Sequence, residues 1–227
     1  MSNTGKLGFR INFNTERKLT EEQKQQLKAI PTATLSDGMY KFNTLHSSIK
    51  PIISPAKIVG PALTVKLRPA DNLMLHKAIS MAQQGDIIVV DTGSTVTYSV
   101  MGDLMATSAF SLGVEGIVID GAIRDINDLQ SAQYPIFTRA ITPAVGDKEG
   151  PGEIGFPISC GGVVIMPGDI IVGDSDGVVV IPYDQLNTVI EGANKKLAYE
   201  KNRRIEIENG TIAKPDVDKK LKDAGVI

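Results

Sequence analysis

Short apolar runs led by glycine recur along this chain. Gly85-Asp86 leads into Ile87-Ile88-Val89-Val90, and Gly168-Asp169-Ile170-Ile171-Val172 repeats the phrase; Gly116-Ile117-Val118-Ile119 and Gly177-Val178-Val179-Val180-Ile181 are variants of it. A continuous β-branched run of this length marks a strand covered on both faces. The four runs therefore predict glycine-led strands of one β core. Other segments follow the helical period. Thr20-Glu-Glu-Gln23 spells a capping box, and Leu27 and Ile30 carry the apolar stripe of an outer helix that ends before Pro31. Asp71 can cap a second helix, in which Leu75, Ala78, Ile79 and Ala82 share a face before Gln84-Gly85 closes it. Met101 to Leu112, rich in Ala, Met, Leu and Phe, predicts a third, so strand, helix and strand alternate across residues 86–119 as a βαβ unit. From Phe137 to Ile181 strands follow one another between Pro and Gly turns without a helical interval, and from Asp184 to about Glu208 the pattern is a charged helix followed by a tail. The expected fold class is α/β, with an extension over 1–19, a core over 20–182 and a helical arm and tail over 183–227.

Composition narrows the partners. Of 227 residues, 42% are hydrophobic and 22% charged, enough apolar material for a packed core and outside the disordered class. A formal charge of −2 leaves no cationic excess to neutralise a phosphate backbone, so nucleic acid is not an expected partner. Residues 1–18 contain no apolar stretch of a secretory leader, and no run approaches the roughly 18 apolar residues of a membrane span. Cys160 is the single cysteine and cannot close an intrachain disulfide, which fits a reducing compartment; the cytoplasm is the expected location.

The stretch with most chemical content is Gly116-Ile-Val-Ile-Asp120-Gly121-Ala122-Ile123-Arg124-Asp125. A buried strand is expected to end at Ile119, Gly121 to permit an unusual backbone angle, and Arg124 and Asp125 to emerge at the C-terminal end of the strand, where open α/β sheets bind ligands. Arg offers a planar fork to a carboxylate and Asp a hard oxygen to a magnesium-type cation. The plainer alternative is a surface ion pair, with Asp125 capping a helix that starts at Ile126.

Asp120-Gly-Ala-Ile-Arg124-Asp125 resembles the D-G-x-x-R-D motif of the RraA-like family, which includes the divalent-metal-dependent 4-hydroxy-4-methyl-2-oxoglutarate/4-carboxy-4-hydroxy-2-oxoadipate aldolases. Gly60-Pro61-Ala62 with Thr64-Val65, Asp71-Asn72 with His76, Gly85-Asp86, Gly102-Asp103-Leu104-Met105, Pro135-Ile136-Phe137, Cys160-Gly-Gly162, Pro167-Gly168-Asp169 and Asp176-Gly177-Val178 are similar to the family's punctuation, in order, over residues 32–182. The resemblance implies a layered α/β/β/α core with mixed sheets and a C-terminal helical arm. It implies that backbone amides of Gly102, Asp103, Leu104 and Met105 hold pyruvate, that Arg124 binds substrate and that Asp125 reaches the metal, Mg²⁺ or in its place Mn²⁺. Glu200 matches a residue that completes the metal's water shell from a neighbouring subunit, within a homotrimer or hexamer. The implied activity is class II cleavage of a 4-hydroxy-2-oxo acid to pyruvate and a second carbonyl compound through a metal-stabilised enolate, with oxaloacetate decarboxylation as a side reaction. Some members instead inhibit the endoribonuclease RNase E by protein contact, which is the alternative from another class.

The residues agree with that implication on their own chemistry. Gly102-Asp103 precedes a predicted helix, whose free amides and dipole make an anion cradle. One carboxylate with few companions suits magnesium, which keeps several waters, and Arg124 adds positive charge where an enolate develops. Asp103 either orients a water that protonates the enolate carbon or serves as a helix N-cap. A second substrate carboxylate would need another cation, for which Arg68, Arg139 and Lys148 are candidates.

Several other patterns carry less. Val90-Asp91-Thr92-Gly93-Ser94 spells the short signature of an aspartic protease, but a single copy cannot form the dyad, so it reads as a strand end. His46 and His76, the only histidines, lack metal-ligand spacing to each other or to Cys160 and read as a loop and a helix residue. No Gly-Lys-Ser/Thr follows Gly150-Pro-Gly152 and no G-x-G-x-x-G follows a strand, which excludes a P-loop and a dinucleotide fold and leaves a methyltransferase cofactor without a glycine loop.

Overall fold

The computed structural model describes residues 2–14 and 18–227. Strands β1 (Ser2–Thr4) and β2 (Phe9–Asn12) precede helices α1 (Glu21–Ala29) and α2 (Thr32–Gly38). Then come β3 (Lys50–Pro51), β4 (Lys57–Leu67), α3 (Leu73–Ile79), β5 (Ile87–Asp91), β6 (Ser99–Met101), α4 (Asp103–Ser111), β7 (Gly116–Ile123), α5 (Ile126–Ser131) and β8 (Ile136–Ile141). Short strands β9 (Gly152–Ile154), β10 (Ile158–Cys160), β11 (Val163–Ile165), β12 (Ile170–Asp174) and β13 (Gly177–Ile181) lead to α6 (Leu186–Glu208) and α7 (Pro215–Asp223).

The long strand β4 joins two sheets. Its first half pairs antiparallel with β12, Lys57 opposite Asp174 through Pro61 opposite Ile170. Its second half pairs parallel with β5, from Ala62 opposite Ile87 to Lys66 opposite Asp91. Parallel pairing continues from β5 to β7 and from β7 to β8, so residues 86–119 form the βαβ unit that the pattern predicts, with β6 added beside β7. At the other edge β9 pairs with the end of β4, and β2 joins β9 in parallel, so the beginning of the chain contributes to the sheet.

Period-two alternation sorts the strand residues into layers. Ile88 and Val90 of β5 and Ile117 and Ile119 of β7 face α3, α4 and α5, where Leu75, Ala78, Ala106, Ala109 and Leu129 cover them. Ile87, Val89, Val118 and Phe137 point the opposite way and pack against Ile171, Val178, Val180 and the β10–β11 hairpin. The far face of β12 and β13, carrying Val172, Val179 and Ile181, is closed by Leu27, Leu35, Val189, Ile190 and Ala193 of α1, α2 and α6. The result is the α/β/β/α layering that the resemblance implies. Among the described residues no helix is long and apolar enough to cross a membrane.

The elements differ from expectation in instructive places. The capping box is present at Thr20, and α1 stops before Pro31. The helix expected from Asp71 to Gln84 is regular only over Leu73–Ile79; its formal N-cap is Asn72, while the Asp71 carboxylate receives the Leu73 amide at 2.9 Å. The helix expected from Met101 begins at Asp103, because Met101 belongs to β6. Strand β7 does not end at Ile119 but continues through Asp120-Gly121 to Ile123, with its pairing to β8 shifting between Ile119 and Ala122. Gly121 is not in the left-handed region, contrary to the expectation of an unusual angle. Its requirement is space: a Cβ there would lie 2.5 Å from Thr92 Oγ1 and 3.1 Å from the Thr95 carbonyl. The charged helix begins at Leu186, after a single 3₁₀ turn, and the tail contains α7.

Asp120, the first residue of the motif, is a brace. Its side chain is 4% exposed and accepts from Arg139 Nε at 2.6 Å, from the Gly161 amide at 2.7 Å and from Ser94 Oγ at 3.2 Å. These bonds tie β7 to β8 and to the β10–β11 turn beneath it. Cys160 lies in the same layer, where burial, reinforced by the charges of Asp120 and Asp91, pushes its thiol pKa well up. Asp91 ends β5 and receives the Gly93 amide at 2.8 Å, which is the strand-end role expected of it. Asp120→Ala should destabilise the fold by about 3 kcal/mol, because it leaves a mostly buried guanidinium and a buried amide without their acceptor. Chemical denaturation measures this, and an unchanged midpoint would contradict the bracing role.

Candidate active site

The parallel strands end where α4 begins, and there Arg124 and Asp125 follow Ile123, the last residue of β7. Asp125 adopts a left-handed backbone (φ 60°, ψ 37°), a conformation that Asp tolerates better than most residues. This turn redirects the side chain. Asp125 occupies the N-cap position of α5, and its carbonyl accepts from the Asp128 and Leu129 amides at 3.1 Å each, but its carboxylate caps nothing in α5. Instead Oδ2 receives the Asp103 amide, in the first turn of α4, at 3.1 Å. The helix-cap reading of Asp125 is corrected accordingly: its carboxylate serves a neighbouring helix.

Gly102 makes this approach possible. It is the N-cap residue of α4, in extended conformation, and a Cβ on it would collide with Asp125 Oδ2 and come within 3.1 Å of Arg124 Nε. Asp103 is the first helical residue, so the alternative that it serves as N-cap is also corrected; its Oδ1 is 3.5 Å from Thr107 Oγ1. A helix leaves the N–H groups of its first turn without intrahelical acceptors. That of Asp103 goes to Asp125, while those of Leu104 and Met105 have no acceptor among the described residues and stand at the positive end of the helix dipole.

These groups line one cavity of about 340 Å³. Gly102, Asp103, Leu104, Met105, Arg124 and Asp125 all contribute, so the structure brings together every candidate of the 102–105 loop and the Arg-Asp pair. Arg124 is anchored through its amide to the Met101 carbonyl at 3.0 Å, and its Nε lies 3.5 Å from Asp125 Oδ2, with both side chains partly open to solvent. The remaining wall consists of Asn72, the N-cap of α3, His76 from the middle of that helix, Ser99 and Met101 of β6, and Val145, Gly146 and Lys148.

A second buried carboxylate positions that wall. Asp71 is fully buried and accepts from the Leu73, Glu149 and Gly150 amides at 2.9, 2.7 and 2.9 Å and from Arg68 at 3.2 Å. It thereby clamps the 147–150 loop to the head of α3 and sets Lys148 at the cavity. Of the three cations considered for a second carboxylate, Arg68 is engaged by Asp71, Arg139 by Asp120, and Lys148 alone lines the cavity. Burial, reinforced by the Lys148 charge, lowers the His76 pKa below its ordinary value and so disfavours the imidazolium form. His76 is the helix residue expected, yet sequence reasoning passed over it and Asn72 as parts of the site; their i, i+4 spacing at the head of a predicted helix was the available signal.

Glu200 lies elsewhere within one chain. It is on α6, 3.8 Å from Lys196 Nζ, and α6 packs on the β12–β13 layer, across two sheets from the cavity. Among the described residues no group of three or more His, Cys, Asp or Glu side chains is arranged to enclose a metal ion.

Comparison with known proteins agrees with this architecture. The family described as RraA-like, Aldolase/RraA, matches residues 32–180. A protein of Halalkalibacterium halodurans provisionally named 4-hydroxy-4-methyl-2-oxoglutarate aldolase is 44% identical over 188 residues, covering 83% of this chain and 90% of that one. The crystal structure of a Pseudomonas syringae protein superposes with a TM-score of 0.75 at 26% identity, covering 85% of this chain and 91% of the other. A Thermus thermophilus structure, described as the RNA-processing inhibitor RraA, gives 0.61 at 29% identity over 67% and 92% of the two chains. With its motif strand, its layered core and two thirds of its length matched, this chain belongs to the RraA-like family.

Proposed function

We propose that this chain is a divalent-metal-dependent aldolase that cleaves a 4-hydroxy-2-oxo acid to pyruvate and a second carbonyl compound. The observation that carries this reading is the Asp125 carboxylate held against the first turn of α4, beside Arg124 and two free helix amides in one cavity. The name of the H. halodurans relative supports the same reaction class.

The residues fit a hard cation that keeps most of its water. Asp125 Oδ2 is occupied by the Asp103 amide, whereas Oδ1 carries no hydrogen bond or ion pair among the described residues. A single carboxylate oxygen, with remaining positions left to water and substrate, is the donor set that suits Mg²⁺, or Mn²⁺ in its place, and not zinc. When bound, such an ion supplies Lewis-acid stabilisation of charge developing on the 2-oxo oxygen.

The chain's own groups do the rest. The amides of Leu104 and Met105 receive the substrate carboxylate at the positive end of α4. Arg124 offers its guanidinium to the 2-oxo end, where cleavage of the C3–C4 bond sends an electron pair toward the oxygen. The C4 hydroxyl gives up its proton as its carbonyl forms, and Asp103, at the cavity lining, orients the water that takes this proton and returns one to C3. Loss of carbon dioxide from oxaloacetate leaves the same electron pair at the same place, so oxaloacetate decarboxylation is a companion activity. Glu200 acts in this site only from a second copy of the chain, which makes a homotrimer or hexamer part of the proposal. The description of the T. thermophilus structure motivates the regulatory alternative, in which the chain inhibits RNA processing by protein contact; turnover is what separates the two.

A pyruvate-coupled assay should show cleavage with added Mg²⁺ or Mn²⁺ and none after exhaustive chelation. Full activity in the chelated protein would end the metal-dependent reading, and no turnover with metal restored would favour the regulatory one. Arg124→Lys keeps the charge but loses the fork, and should lower kcat by on the order of 10²–10³ with the fold intact; unchanged kinetics would mean that the guanidinium does not touch substrate. Asp125→Asn and Glu200→Gln should each be nearly inactive alone, yet recover activity when co-refolded, because some interfaces then combine both native side chains. Mixed oligomers without recovery would remove Glu200 from the site.

A further inference from the structure

Asn72 is 3% exposed and lines the cavity at the head of α3. Its amide nitrogen donates to the Val100 carbonyl at 3.1 Å and lies 3.8 Å from Met105 Sδ. Those neighbours identify the two ends of the amide, since only the NH₂ end can donate to a carbonyl. The other end, Oδ1, is buried without a hydrogen-bond partner. Among the described residues it shares that condition with one side-chain atom, Arg203 Nε, which is on α6. A buried acceptor left unmet is costly, and in a native fold it asks for an explanation such as a bound group.

The surroundings restrict what that group is. Arg124, Lys148 and the amides of Leu104 and Met105 are all donors, suited to the carboxylate and oxo oxygens of an oxo acid. Those oxygens have no hydrogen to give to Asn72. A hydroxyl has one. Resting on the aldolase reading, we propose that Asn72 is a specificity-determining residue whose Oδ1 accepts a hydrogen bond from the C4 hydroxyl of a 4-hydroxy-2-oxo acid, distinguishing it from oxo acids that lack the hydroxyl. A site built to bond a substrate hydroxyl discriminates against its deoxy counterpart, because the buried partner is then left unpaired.

The test compares two substrates and two variants. Asn72→Ala should lower kcat/KM for 4-hydroxy-2-oxoglutarate roughly 10–100-fold more than kcat/KM for oxaloacetate decarboxylation, whose substrate has no C4 hydroxyl. Asn72→Asp loses the bond to Val100 but keeps an acceptor oxygen, so it should lower both activities together and hold their ratio near that of the unaltered protein. A purely structural Asn72 would give parallel losses in Asn72→Ala, and that result overturns the proposal. The unaltered protein supplies a measurement that no misfolded variant can spoil: 2-oxoglutarate, the same acid without the hydroxyl, should compete roughly tenfold or more weakly than 4-hydroxy-2-oxoglutarate binds. Equal binding means that water satisfies Oδ1 and overturns the Asn72 assignment while leaving the aldolase reading in place. A folded, metal-supplied protein that turns over neither substrate overturns the aldolase reading and this assignment with it.

Discussion

One hydrogen bond organises the candidate site: the Asp103 amide, in the first turn of α4, to the Asp125 carboxylate at 3.1 Å. It requires three local concessions. Asp125 takes up a left-handed backbone, Gly102 gives up its Cβ, and Asp125 leaves α5 without a side-chain cap. Each is unfavourable or neutral for folding alone, and together they place a carboxylate beside free helix amides and Arg124 where parallel strands end. A substitution at Gly102 would disturb this arrangement before it disturbed any core packing, because the first atom a Cβ meets is the Asp125 oxygen.

Buried carboxylates elsewhere hold the frame so that the exposed ones are free for chemistry. Asp120 locks β7 to β8 through Arg139, and Asp71 locks the 147–150 loop to α3. Both are acceptors with their hydrogen-bonding capacity spent inside the protein, in contrast to Asp125, which keeps Oδ1 available. The D-G-x-x-R-D motif therefore divides into a bracing half and a site half: Asp120 and Gly121 secure the strand, while Arg124 and Asp125 face the cavity. Two acidic residues of one motif, five positions apart, have different roles because one lies within the paired strand and the other just beyond its end.

Much of this was legible in the chain. Runs such as Ile87-Ile88-Val89-Val90 announce buried strands through local periodicity alone, and Thr20 with Gln23 announces a helix start through reciprocal capping. The RraA-like punctuation led to the 102–105 loop and the Arg124-Asp125 pair, which the cavity unites. What escaped depends on tertiary contact. Helix α2, seven residues containing two Thr, a Ser and a Gly, has weak propensity and is held by burial of Leu35 and by Asp174, which accepts from the Thr32 amide at 2.8 Å and is far away in sequence. The continuation of β7 past Ile119 crosses Asp-Gly, a pair that ordinarily signals a turn, and is sustained by Asp120's buried bonds. The reason for Gly121 is the proximity of Thr92, and the unmet oxygen of Asn72 is visible only when every neighbour is placed. Glu200 marks the limit of one chain, since its proposed role needs a second copy.

Whether Asp125 holds the metal beside Arg124 and the α4 amides is tested by a crystal structure with Mn²⁺ and oxalate, using the anomalous signal of manganese to locate the ion. The expected result is a manganese peak within coordination distance of an Asp125 carboxylate oxygen, about 2.0–2.1 Å by analogy with magnesium, and oxalate lying between Arg124 and the Leu104 and Met105 amides. A manganese peak away from Asp125, or oxalate bound with Asp125 uninvolved, would contradict it.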